Sequence, residues 1–191
     1  MAQAGEPTNA SYPLYLAMAQ IRLGDEQGAS ASLLRAVRLD PDLAEAWGTM
    51  AELALKNNSL GLAAQHIAEA RKRQPGVVRW RLVEAKILKR SGKRADVERA
   101  AQLLTAMDRA ERLKPEVMSA LAECFGYLRR PEAAAAMYAD AVKARPDDAE
   151  SAYQTAVWFD RAGQREQAAR YARAAAGMGH AEAAELLKGW Q

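Results

Sequence analysis

Few residues in this 191-residue chain have the types and spacing that chemistry demands. His66 and His180 are the only histidines, and neither stands at metal-ligand spacing from another ligating residue. Cys124, the single cysteine, follows Glu123 in a helical stretch with no histidine nearby in sequence to activate it, so a small buried thiol is the expected role. No glycine loop suited to phosphate and no nucleophile elbow occurs. The expectation is a non-enzymatic chain that needs no metal and no cofactor.

The remaining chemistry is charge. Residues 71–94, RKRQPGVVRWRLVEAKILKRSGKR, hold ten Lys or Arg against one Glu, a local +9 that leaves −6 for the rest of a chain whose net charge is +3. Such a patch around Trp80 could meet phosphates with the indole as a stacking surface. The plainer reading makes Trp80 a core residue and lets Arg71, Lys72 and Arg73 complement a helix dipole. Nucleic acid is therefore the disfavoured alternative.

Ala, Leu, Glu, Arg, Lys and Gln dominate, β-branched and aromatic residues are sparse, and no alternating strand pattern occurs, so the elements that position these charges should all be helices. One cysteine forbids an internal disulfide framework. No apolar run approaches the roughly 20 residues of a membrane span. The opening residues lack the basic start and apolar run of a leader, so no membrane insertion and a cytoplasmic location are expected, or a periplasmic one if a leader has been removed.

The helices repeat. Ala17, Ala51 and Ala85 recur at one constant interval, a step three positions longer leads to Ala122, and Ala156 restores the original interval. Seven residues beyond each stands a turn signal or polar break: Gly24, Asn58, Gly92, Arg129 and Gly163. Ala29, Ala63, Ala134 and Ala168 lie twelve beyond the first series, followed after four by Leu33, Ile67, Tyr138 and Ala172. Pro41, Pro75, Pro115 and Pro146 close the units. In AEAWGTMAEL, residues 44–53, Trp47 precedes Ala51 by one turn: the alanine lets two helices approach closely and the tryptophan wedges the gap beside it.

This pattern resembles the tetratricopeptide repeat. One unit reads Trp47, Met50, Ala51, Ala54, Ala63, Ile67, Pro75, and another Met118, Leu121, Ala122, Phe125, Ala134, Tyr138, Pro146. The third departs, with Trp80 one residue early and Glu84 where leucine is expected. Its KRADVERAAQLLTAMDRAERLK, residues 93–114, reads as one unusually long second helix with a bulged start. The resemblance implies an all-α, right-handed α-solenoid of antiparallel helix pairs. About five units are expected, at 11–42, 43–76, 77–115, 116–147 and 148–179, after a mobile segment 1–10. A capping helix in 180–191 should follow, whose boundary AAAGMGHAEAAELL resembles Sel1-like repeats.

In that family the first helices line a groove for a peptide or partner helix. Carried over through the alanine register, the groove positions are Glu45 and Glu52; Arg79, Lys86, Lys89 and Arg90; Glu116, Glu123 and Tyr127; and Glu150, Tyr153 and Asp160. These bands either pair with one another, as Glu52, Lys86 and Glu123 are placed to do, or form a central basic band for an acidic peptide with Tyr127 and Tyr153 as contact surface. A carboxylate clamp is not expected, because its positions hold Leu14, Met18, Thr49, Arg79 and Val83, of which only Arg79 is suitable. The resemblance thus implies a protein-interaction scaffold, the partner being a protein or peptide. Likeness to bacterial envelope and exopolysaccharide-export solenoids places it in a bacterial assembly. Self-association is a third reading.

Overall fold

The computed structural model describes residues 9–190, and among them every regular element is a helix. The expected mobile segment 1–10 falls for residues 1–8 outside the described residues. Asn9 accepts the Ser11 N–H through Oδ1 at 2.9 Å, and Ala10 is buried.

The chain divides into two compact units at Gly92 and Lys93, inside the third repeat. Unit 1 holds α1 (Ser11–Leu23), α2 (Glu26–Leu39), α3 (Ala44–Lys56), α4 (Leu60–Arg73) and α5 (Val78–Arg90). Each packs on the next, and α3 also meets α5, so the second and third repeats set their first helices side by side. Unit 2 holds α6 (Arg94–Thr105), α7 (Arg109–Arg112), α8 (Pro115–Tyr127), α9 (Pro131–Ala144), α10 (Ala149–Arg161), α11 (Arg165–Gly177) and α12 (Ala181–Lys188). There α6 packs on α8, and α8 to α12 pack in sequence.

The repeated alanines are the contact points. Ala17, Ala51, Ala85, Ala122 and Ala156 are 0–5 % exposed, and Ala29, Ala63, Ala134 and Ala168 are fully buried. Ala51 shares its core with Ala63, Ile67 and Trp80. Added volume there has nowhere to go, so Ala51→Leu should cost about 1–3 kcal/mol in urea unfolding.

All five turn positions that follow the first alanines adopt positive φ, with Gly24 at 80°, Asn58 at 56°, Gly92 at 69°, Arg129 at 54° and Gly163 at 73°. The left-handed conformation reverses the chain between the two helices of a repeat. Arginine has no side-chain means of easing that conformation, so Arg129→Gly should stabilise unit 2 by about 0.5–1 kcal/mol, read from the denaturation midpoint. The exposed Arg129 side chain makes this a backbone test.

Long arginines tie repeat to repeat. Arg73 Nε donates to the Pro41 carbonyl at 2.6 Å, which also accepts from Trp47 Nε1 at 2.9 Å. Arg145, two repeats further on, likewise donates to a main-chain carbonyl of the preceding repeat, that of Leu113 at 3.4 Å.

The single long helix expected over 93–114 is corrected. It breaks after Thr105 into α6 and the one-turn α7. Asp108 starts α7 by accepting the Glu111 N–H at 2.9 Å, and Arg112 satisfies the freed Thr105 and Met107 carbonyls at 2.9 and 2.8 Å. A good N-cap within a helical pattern stops one helix and starts another. Within the segment 180–191, residues Ala181–Lys188 form α12, which brings Ala183 against Ala152 and Ala175.

Candidate partner-binding face

In unit 1 the side of α3 and α5 that carries the repeat's groove positions is built by helical periodicity. Arg79, Lys86 and Arg90, spaced seven and then four, lie along one stripe of α5, and Glu45 and Glu52 lie along the facing stripe of α3. Arg79 joins the two helices. Its Nε donates to Glu52 Oε1 at 2.9 Å, its Nη2 donates to Glu52 Oε2 at 2.5 Å, and its Nη1 donates to Glu45. The guanidinium also lies 5.1 Å from the Trp80 ring centroid. These carboxylates, Glu52 first, push the Arg79 pKa further up.

Glu52 thus pairs with Arg79, not with Lys86 as its register position suggested. Lys86 is exposed. Arg90 is exposed and reaches Asn58 Oδ1 at 3.4 Å, while Lys89 is half-buried on the same helix. Elsewhere in the basic stretch, Arg71 pairs with Glu84, which explains an acid at the position expected for leucine. Arg73 pairs with Glu69 and lies over Trp47 at 5.2 Å. Trp80 itself is 0 % exposed, so it offers no stacking surface.

Unit 2 carries the other positions. Glu123 and Tyr127 are exposed on α8, and Cys124 is buried beside them. Tyr153 on α10 is half-buried because His180 stacks on it with ring centroids 4.3 Å apart. His180 Nε2 lies 3.0 Å from Glu150 Oε2, and this hydrogen bond is the main reason the Glu150 carboxyl is held below its usual range. His180 Nδ1 lies 3.3 Å from Glu182 Oε2 but outside hydrogen-bond geometry. No spacing rule announces this cluster, because residues 150 and 180 meet only when the loop before α12 turns back on α10. Asp160 is engaged by Arg165 at 3.1 Å.

Among the described residues no helix is long and apolar enough to cross a membrane. No curated protein sequence matches the chain significantly. Solved structures do match in fold. MamA from Desulfovibrio magneticus RS-1 superposes with a TM-score of 0.72 at 14% identity, over 92% of this chain and 97% of that one. PilW, described as a widely conserved type IV pilus biogenesis factor, gives 0.68 at 17% identity over 95% and 91%. YrrB, described as a TPR protein with an unusual peptide-binding site, gives 0.69 at 15% identity over 95% and 93%. The tetratricopeptide repeat family model matches residues 16–43, the second half of α1 through the start of the next repeat. The register of the repeat matched over residues 16–43 continues through Ala156, and the chain has the fold of these solved structures.

Proposed function

We propose that this protein is an interaction scaffold whose unit 1 holds an acidic segment of a partner protein across α3 and α5. The carrying observation is the Arg79 clip. It engages both groove-position acids of unit 1, Glu45 and Glu52, and so leaves Lys86 and Arg90 as the charges that greet a ligand. Counted together, Arg79, Lys86 and Arg90 outnumber Glu45 and Glu52, and a face of net positive charge attracts an acidic chain and repels a basic one. The buried Trp80 removes the stacking surface that a nucleic-acid reading requires. Membership of a bacterial multiprotein assembly at the envelope belongs to the same proposal, in keeping with the fold likeness to PilW, a type IV pilus biogenesis factor.

The test is fluorescence anisotropy with a labelled Glu- and Leu-containing peptide and its Lys-containing counterpart. The acidic peptide should bind at least tenfold more tightly, with affinity falling as salt rises, and Lys86→Glu should remove most of that preference. Equal affinity for both peptides, or an unchanged preference in Lys86→Glu, would overturn the assignment.

A further inference from the structure

The opposite side of unit 1 carries a second feature that the acidic-segment reading leaves unused. Between the second helices α2 and α4, with α3 as its floor, lies a cleft of about 390 Å³. Its walls and floor include Leu33, Leu34, Met50, Leu53, Leu62 and His66, and among the described residues no Asp, Glu, Lys or Arg lines it. The volume falls within the range of ordinary ligand pockets, on the order of 300–1,000 Å³.

Two of those leucines break the repeat pattern. Leu34 stands in the second helix of its repeat where the later repeats, counted from their own first alanines, have Ala68, Gln102, Ala139 and Arg173. Leu62 stands where the other repeats have Gly28, Asp96, Ala133 and Gln167. Only at this cleft does the register put a large apolar residue at both positions, and both remain open, Leu34 at 44 % and Leu62 at 54 % exposure. Neither is needed to close the core, which is completed beneath them by Leu33 at 0 %.

Charge selects the occupant. In a chain with 27% charged residues, a lining without any is a poor seat for an ion or a charged peptide. The one titratable group, His66, tilts against Trp47 and is pushed toward its neutral form by burial. The ring facing it from the packed elements is Trp47 on α3, and the charges of Lys56 on α3 and Glu26 on α2, which do not line the cleft, answer each other at 2.8 Å. We infer that this cleft is a docking site for uncharged aliphatic or aromatic side chains of a partner protein, separate from the acidic segment held across α3 and α5.

The test uses methyl NMR of the full chain, with N-acetyl-leucinamide and N-acetyl-phenylalaninamide as probes. Saturable shifts are expected at Leu34, Met50, Leu53 and Leu62, while Leu16 and Leu23, which are exposed outside the cleft, stay still. Leu62→Gln, the residue found at the equivalent position 167, should weaken binding at least fivefold. Leu34→Ala, as at positions 68 and 139, gives the same readout should Leu62→Gln lose helicity. Absence of saturable shifts, or shifts of equal size at Leu16 and Leu23, would overturn the inference. Sedimentation with phosphatidylcholine vesicles that is lost in Leu62→Gln would also overturn it, by assigning the cleft to lipid. Because Lys86→Glu leaves the cleft untouched, failure here and failure of the acidic-segment proposal are separately visible.

Discussion

Gly48→Ala should destabilise unit 1, although the same change in an exposed helix would stabilise it by up to about 1 kcal/mol. Gly48 lies in the middle of α3, and a Cβ built there falls well under 3.0 Å from the edge of the Trp80 ring. The ring cannot swing aside, because Trp80 is fully buried among Ala51, Ile67 and Val83. Overpacking of this kind costs about 1–3 kcal/mol and exceeds the propensity gain. Trp80→Ala should cost more, about 3–5 kcal/mol, through the cavity it leaves. The two changes should not add: Gly48→Ala placed in a Trp80→Ala background should be neutral or stabilising, since the clash is gone and the propensity gain remains. Urea unfolding of the parent, the two single variants and the double variant measures the coupling. Additive losses would show that the ring edge and the glycine do not constrain each other.

That contact also marks how far the sequence could be read. The alanine register, the five turn positions and the closing prolines each state a requirement of one residue on its own backbone or its nearest helix, so they were legible as spacing. Trp80 standing one residue early was legible as an anomaly, but its cause lies in Gly48, in the preceding repeat and unremarkable among helix formers. The break of 93–114 turned on Asp108, whose capping bond to Glu111 competes locally with a strong helical pattern. At the candidate site, register placed Glu52, Arg79 and Lys86 on one side of their helices, yet register does not choose among partners of equal rank. Arginine's forked donors reach both oxygens of Glu52 and Glu45 together, which a lysine's single ammonium does not do. The same limit hid His180, whose partners Glu150 and Tyr153 belong to another repeat.

Arg79→Gln should affect acidic-peptide binding more than Lys86→Gln, although Arg79 is the cation already occupied. Removing Lys86 subtracts one charge from the face. Removing Arg79 subtracts one and also uncovers Glu45 and Glu52, which then oppose the ligand with like charge. The expected loss is at least tenfold for Arg79→Gln and severalfold for Lys86→Gln, both diminishing at high salt. Stability should change by less than about 1 kcal/mol, because the three side chains are 36–41% exposed and solvent screens their attraction. Adding Glu45→Gln and Glu52→Gln to Arg79→Gln should restore most of the affinity. That rescue distinguishes a guanidinium that silences its neighbours from one that grips the peptide directly, since in the second case affinity stays low when the acids are gone.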